Sequence, residues 1–284
     1  MRNHKGFTIL EMLVLLAILS LVMTILMPSL SQTHERAKRT ACAANLHGIV
    51  QALYLYAQNP PYVFPALYQP YTGEGNNLHL FYPPDRTSLP STSGVPSPTV
   101  DLWTVVRRGL TVPKQFVCPS TRDLPDPMAD STAYYDFPAL GNLSYGYQYQ
   151  HDPNREVLGT STEPGFPLMA DGNPYIKGGV SPASLPYDRT GPGRGNSVNH
   201  ATREGQNVLF VDGHVSFEEG PDVGLSGRVN AGLTISRGRD NCYTTHASTL
   251  NAPVDYGFAA PVWTSPSTAG SCDLGGKSDA CLVP

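Results

Sequence analysis

Residues Phe7 to Leu30 form an apolar run of 24 residues that contains one charge, Glu11. As a helix rising about 1.5 Å per residue, the run is roughly 36 Å long, more than the ~30 Å of hydrocarbon in a bilayer. A short basic head, Arg2, His4 and Lys5, precedes it and ends at Gly6. A cleaved secretory signal has a shorter apolar core and a small-x-small site after it, and Met27-Pro28-Ser29-Leu30-Ser31 is not such a site. A plain membrane anchor fits the length but leaves Glu11 without a purpose. An acid inside a bilayer helix costs about 2.5–3.5 kcal/mol on insertion scales and as a rule marks a function. The blander alternative is a carboxylate near the helix start that reaches back to the interface.

Gly6-Phe7-Thr8-Ile9-Leu10-Glu11 resembles the processing site of type IV prepilins and of type II secretion pseudopilins. The resemblance implies that a prepilin peptidase cuts after Gly6 and that the new N-terminal residue, Phe7, is N-methylated. It also implies that Glu11 is the assembly acid and that Pro28 is the proline many members carry in this helix. A filament of packed apolar helices is a medium of low dielectric, where a carboxylate needs a partner or protonates. The amine of Phe7 on a neighbouring subunit is an available cation, and pairing would fix the axial stagger between subunits. Arg36, Lys38 and Arg39 after the span outnumber the basic residues of the leader, so charge bias alone does not set the orientation.

After Pro28 the pattern becomes amphipathic. Cys42, Leu46, Ile49, Val50, Leu53 and Ala57 recur at spacings of three and four, which predicts the second half of one long helix, stopped before Asn59-Pro60-Pro61. Its polar face carries Arg36, Arg39, Asn45, Gln51 and Gln58. The apolar stripe needs a cover, and a small sheet formed by the rest of the chain would supply it. Helix on sheet is also the headgroup plan of the family it resembles.

The chain of 284 residues has a low charged fraction, 15%, with 27 glycines and 27 prolines, a composition that favours loops and short strands. Net charge is −4; without the first six residues Lys+Arg falls from 19 to 17 against 23 acids, giving −6. No basic patch points to a nucleic acid partner. The five cysteines, Cys42, Cys118, Cys242, Cys272 and Cys281, include no C-x-x-C pair, which argues against a zinc ribbon or a thioredoxin-type site. Outside the cytoplasm disulfides become permitted. The Cys42-Ala43-Ala44-Asn45-Leu46 and Phe116-Val117-Cys118-Pro119-Ser120 segments, with residues 207–217, are similar to a subgroup of prepilin-like proteins bearing a His-to-Asp-Gly signature. That similarity implies a Cys42–Cys118 disulfide; two buried thiols are the alternative. Cys272 and Cys281 flank Gly275-Gly276 and would suit a small disulfide loop, or belong to a loose tail.

Residues 59–100 are rich in proline and read as a surface excursion. Val100–Val106 predicts a short helix with Asp101 as N-cap and Leu102, Val105, Val106 and Leu110 facing inward. Lys114–Cys118 predicts a strand stopped by Pro119. Ser144–Tyr149 alternates and is rich in tyrosine, so it predicts a strand; its tyrosines could pack across the sheet or form a sugar platform. Phe166–Asn173 predicts a strand ending in an acidic turn. Asn207–Phe217 predicts a hairpin, because Asp212-Gly213 is a pair that a type I′ turn prefers. Upstream, eleven residues separate His200 from Asp212, against about nine in the signature, which places an insertion in the Ala201–Gln206 loop. Ile235–Cys242 predicts one more strand and turn.

Asp171 and Asp212 each end a predicted strand before a glycine, so their carboxylates could meet at one sheet edge, with His200 and His214 nearby. Major pseudopilins bind calcium in a headgroup loop, which makes calcium the candidate cofactor and Asp171 and Asp212 its candidate ligands. Calcium takes six to eight oxygens, and turn chemistry alone also accounts for both residues. No G-x-S-x-G, H-E-x-x-H or P-loop occurs, so no catalytic site is expected.

The expected fold is α+β: a long N-terminal helix, membrane-spanning in its first half, packed on a small antiparallel sheet headgroup with long loops. The expected segments are a leader (1–6), an assembly helix (7–30), an amphipathic stem (31–58), a headgroup (59–219) and an irregular extension (220–284). The resemblance implies a structural subunit of a type II secretion pseudopilus or a type IV pilus-like filament. It would span the bacterial inner membrane once, with its headgroup outside the cytoplasm. Its partners would be a prepilin peptidase, further copies of itself and other pseudopilins. The rival reading is a membrane-anchored binding module for a polysaccharide or a protein.

Overall fold

In the computed structural model the chain is described over residues 7–66, 86–87, 98–127, 130–148, 150, 157–174, 195–200, 203–231, 234–243 and 282–283. The leader 1–6, Tyr149, Cys272 and Cys281 lie outside the described residues.

One helix, α1 (Ile9–Ala57, 49 residues), passes through Pro28 without ending. Its two halves differ. From Phe7 to Leu30 the large apolar side chains are exposed, whereas Cys42, Leu46, Ile49, Val50, Ala52, Leu53 and Ala57 are buried. The stripe that the spacing marks out is thus the face that packs on the headgroup. The helix begins with a capping box: the Thr8 side chain accepts from the Glu11 backbone N–H, and the Glu11 carboxylate accepts from the Thr8 N–H. These bonds satisfy orphan donors of the first turn.

The cover is an antiparallel sheet of four strands with a two-residue fifth. The strands are β1 (Tyr145–Gln148), β2 (Pro167–Asp171), β3 (Gln206–Phe210), β4 (Val215–Glu218) and, at the far edge, Leu282–Val283 on β1. Strand order across the sheet is β4-β3-β2-β1 and then Leu282–Val283. Register is fixed by Tyr145 opposite Asp171, Met169 opposite Leu209, and Asn207 opposite Phe217. The main core joins Leu46, Ile49 and Leu53 of α1 to Tyr145, Leu168, Met169 and Leu209 of the sheet. Polar ties flank it: Asn45 Nδ2 donates to the Val117 carbonyl (3.0 Å), and the Tyr54 hydroxyl donates to the Val211 carbonyl. The α+β plan is therefore the plan the stem pattern calls for.

Several local elements differ from expectation, each for a physical reason. Helix α2 runs from Pro98 to Arg107, so Asp101 sits in its first turn rather than at its N-cap. Proline is pre-organised for the start of a helix and moves the start back. Leu102, Val105 and Val106 face inward, and so does Trp103, whose Nε1 donates to the Tyr134 carbonyl at 2.8 Å. Residues 113–116 form a short 3-10 helix, not a strand, because Pro113 fixes φ near a helical value at the first position. The four residues 211–214 between β3 and β4 do not form a type I′ turn: Phe210 N–H donates to the His214 carbonyl and closes a loop of three residues, 211–213. Gly213 N–H donates to the Phe210 carbonyl, and among Asp212 and Gly213 only the glycine has positive φ, +88°. A type I turn followed by a left-handed glycine is the usual form of such a loop. Residues 222–241 are not irregular: β5 (Asp222–Ala231) and β6 (Thr234–Asn241) pair as a separate antiparallel hairpin. Val223, Leu225, Val229 and Ala231 alternate with polar positions along β5, a strand signal that the expectation of an irregular extension passed over, whereas the strand expected at Ile235–Cys242 is β6.

Candidate functional site

Two features of the described chain carry chemistry beyond packing. The first is the bare half of α1. Phe7, Ile9, Leu10, Leu13, Val14, Leu16 and onward to Leu30 present apolar side chains to the outside; Phe7 is 68% and Ile9 83% exposed. Monomeric soluble proteins do not leave a contiguous apolar surface of this size uncovered, and such patches mark membrane or protein contacts. Aliphatic side chains of this kind gain about 1.5–3 kcal/mol each on full burial. This helix is long and apolar enough to cross a membrane. Glu11 is the single charge of its first half, Phe7 to Leu30. Its Oε2 accepts from the Thr8 N–H at 2.8 Å and from the Thr8 hydroxyl at 2.9 Å. The acid is therefore partnered within its own first turn, a local bond that the sequence reading did not include. A threonine three residues before a glutamate at a helix start was the available signal.

The second feature lies where stem and sheet meet. A disulfide joins Cys42 of α1 to Cys118, which follows the 3-10 helix. Beside it is His200, with no exposed surface. Its Nδ1 lies 2.8 Å from Glu35 Oε1 and 3.2 Å from the Ser120 hydroxyl. Its Nε2 lies 3.1 Å from Asp171 Oδ2. Asp171, buried at the end of β2, also accepts from the Asn207 backbone N–H at 2.7 Å and from Asn199 Nδ2 at 3.1 Å. His200 thus ties helix α1 to strand β2, and Asp171 holds the loop before β3 in place. Arg39 stands next to this cluster, 4.0 Å from Glu35 and 2.7 Å from Glu204, over the ring of Phe217.

Burial works against the charged imidazole, but the hydrogen bonds and charges of Asp171 and Glu35 outweigh it and raise the His200 pKa above its ordinary value of 6.5. A raised folded-state pKa adds stability that is fully present below about 6.5, and this stability disappears as pH rises through the folded value. The full chain in micelles is expected to lose melting temperature as pH rises above 6.5, and His200→Gln to lose less over the same interval. Equal pH slopes for the two proteins would refute a charged His200.

The expected pairing of Asp171 with Asp212 does not form. Asp212 sits in the β3–β4 loop, its backbone N–H on the Pro164 carbonyl, just before β2 begins. Asp171 ends that same strand, so the two acids occupy opposite ends of β2. Asp212 bonds instead to the His214 N–H at 3.0 Å and to the His214 ring. The two carboxylates therefore do not share one sheet edge. Tyr145 and Tyr147 are buried, with the Tyr147 hydroxyl donating to the Pro65 carbonyl at 3.1 Å, and so neither offers a sugar platform. The structure gathers His200, Asp171, Cys42 and Cys118: the expected closeness of Asp171 to His200 and the Cys42–Cys118 pairing both hold, and the two pairs meet at one place.

Comparison with known proteins bears on the first feature. The prokaryotic N-terminal methylation motif matches residues 1–27. The type IV wide pilus major component PilA4 of Thermus thermophilus is 38% identical over 56 residues, which is 20% of this chain and 43% of that protein. The match thus spans less than half the length of that relative. No solved structure matches the chain.

Proposed function

We propose that this chain, a type IV prepilin-like protein, is a structural subunit built into a filament through the first half of α1. The observation that carries the proposal is the exposed apolar half-helix, with one acid five residues after Gly6, which begins inside the matched methylation motif. Two media can cover such a surface. The bilayer covers it while the subunit waits, and the same half-helix of neighbouring subunits covers it after assembly. In this reading a prepilin peptidase releases the leader after Gly6, Phe7 is methylated, and the headgroup stands outside the cytoplasm on the amphipathic stem. Glu11 then leaves its own Thr8 for the Phe7 amine of the next subunit. The filament is a type IV pilus-like fibre or a type II secretion pseudopilus, and its subunits have a structural rather than a catalytic task. Burial of Tyr145 and Tyr147 removes the main support for a binding module.

Mechanical shearing of cells tests the proposal. The chain is expected in the sheared filament fraction, or, for a short pseudopilus, in cross-linked ladders of regular subunit multiples within the envelope. A chain found only as a monomer in the membrane, with no cross-linked multiples, would overturn it.

A further inference from the structure

The cluster around His200 has the composition of a metal site. Cys42, Cys118, Asp171 and His200 each offer one ligand atom, and these atoms lie within 4.8 Å of one another. All four residues have no exposed surface. They come from separate parts of the chain: α1, the segment after the 3-10 helix, the end of β2 and the loop before β3. Such convergence is not the by-product of one turn. Thiolate, imidazole and carboxylate together are a zinc ligand set, and tetrahedral zinc takes four such groups at about 2.0–2.3 Å.

The surroundings fit the same chemistry. A zinc-bound histidine as a rule donates its other ring N–H to a carboxylate, which orients the ring and raises its basicity. His200 has that arrangement: Nδ1 faces Glu35 Oε1 at 2.8 Å, while Nε2 faces Asp171 Oδ2 at 3.1 Å. The other oxygen of Asp171 is held by Asn199 Nδ2 at 3.1 Å. Both ligating side chains are therefore fixed by partners behind them.

We propose that, when the Cys42–Cys118 disulfide is reduced, Cys42, Cys118, His200 and Asp171 bind one zinc ion between the stem helix and the sheet. A reductant gives two electrons to the disulfide and breaks the S–S bond; with a phosphine, water supplies the oxygen and the phosphine leaves as its oxide. Zinc binds the two sulfurs as thiolates and takes the place of the hydrogen between His200 Nε2 and Asp171. The two thiol protons and the imidazolium proton pass to solvent. The disulfide and the zinc–thiolate centre are alternative clamps at one point of the fold, so stem and sheet stay joined in a reducing or an oxidising setting. This inference does not depend on filament assembly.

The test uses the full chain in micelles, reduced with a phosphine and freed of metal, then titrated with cobalt(II) as a spectroscopic stand-in for zinc. Tetrahedral visible bands and a thiolate-to-cobalt charge-transfer band are expected to saturate at one ion per chain, and zinc should displace them. The disulfide form should give neither band. Glu35→Gln keeps all four ligands and is expected to weaken zinc binding about 10–100-fold. X-ray absorption of the zinc-loaded wild type needs no variant; it should show two sulfurs at about 2.3 Å and two nitrogen or oxygen atoms at about 2.0 Å. A reduced chain that binds no cobalt in stoichiometric amount, or a zinc shell without sulfur, would overturn the proposal. So would identical zinc affinity in the wild type and Glu35→Gln.

Discussion

Glu11→Ala is expected to leave processing intact and to stop assembly: mature subunit accumulates in the membrane, and filaments fall at least about a hundredfold. The size follows from where the acid lies. It sits on an otherwise apolar half-helix, so in a filament of packed helices it is surrounded by hydrocarbon. Removing one member of a buried ion pair costs about 3–5 kcal/mol, because the other charge is left without compensation. Each 1.4 kcal/mol is a factor of ten in association. The capping box offers a second explanation that must be separated from the first, since losing a cap costs about 1 kcal/mol. Glu11→Gln separates them. Glutamine can still accept from the Thr8 N–H and so keeps the box, but it has no charge for the neighbouring Phe7 amine. Quantitative filament recovery by shearing and immunoblotting should show both variants defective. Normal filaments in Glu11→Gln would assign the acid to capping alone, and normal filaments in both would remove its role.

Cys118→Ser is expected to lower headgroup stability by about 4 kcal/mol. The bridge spans 76 residues, and a closed loop of that size restricts the unfolded chain by roughly that amount in the loop-entropy account. Domains of this kind are stable by only about 5–15 kcal/mol, so the loss is a large part of the whole. The bridge also holds the stem at its first buried turn, since Cys42 is the earliest buried residue of α1. Guanidinium unfolding of the full chain in micelles, with a chelator present, should show a clearly lower midpoint for Cys118→Ser and an equal one for Cys42→Ser. A midpoint within error of the wild type would mean that the bridge adds no stability.

The long helix and its two halves were legible in the sequence because both depend on periodicity. An unbroken apolar run and a three-four stripe are signals that tertiary context seldom overrides. Strand β1 was legible from its alternation, and β3 and β4 from the apolar runs that flank Asp212-Gly213. Position-specific backbone chemistry was less so. Pro98 and Pro113 each start a helical turn, one lengthening α2 and the other replacing an expected strand. The hairpin loop kept its Asp-Gly pair but used only Gly213 for positive φ. The candidate site divides in a similar way. Glu11 stands out in the sequence as the one charge in a span, yet its bond to Thr8 depends on where the helix begins. His200 has no neighbour in sequence that explains it. Glu35, Ser120 and Asp171 reach it from positions 165, 80 and 29 residues away, and only the packing of stem on sheet brings them together. The Asp171–Asp212 pairing failed because each acid was read as the end of a strand, without regard to which end of β2 it would occupy.

Mass analysis of the mature N-terminus tests the central claim most directly, because every later step requires a chain that begins at Phe7. In cells that contain a prepilin peptidase, the purified protein is expected to begin at Phe7 and to carry one added methyl group on its amine. An intact Met1 in those cells would contradict the account.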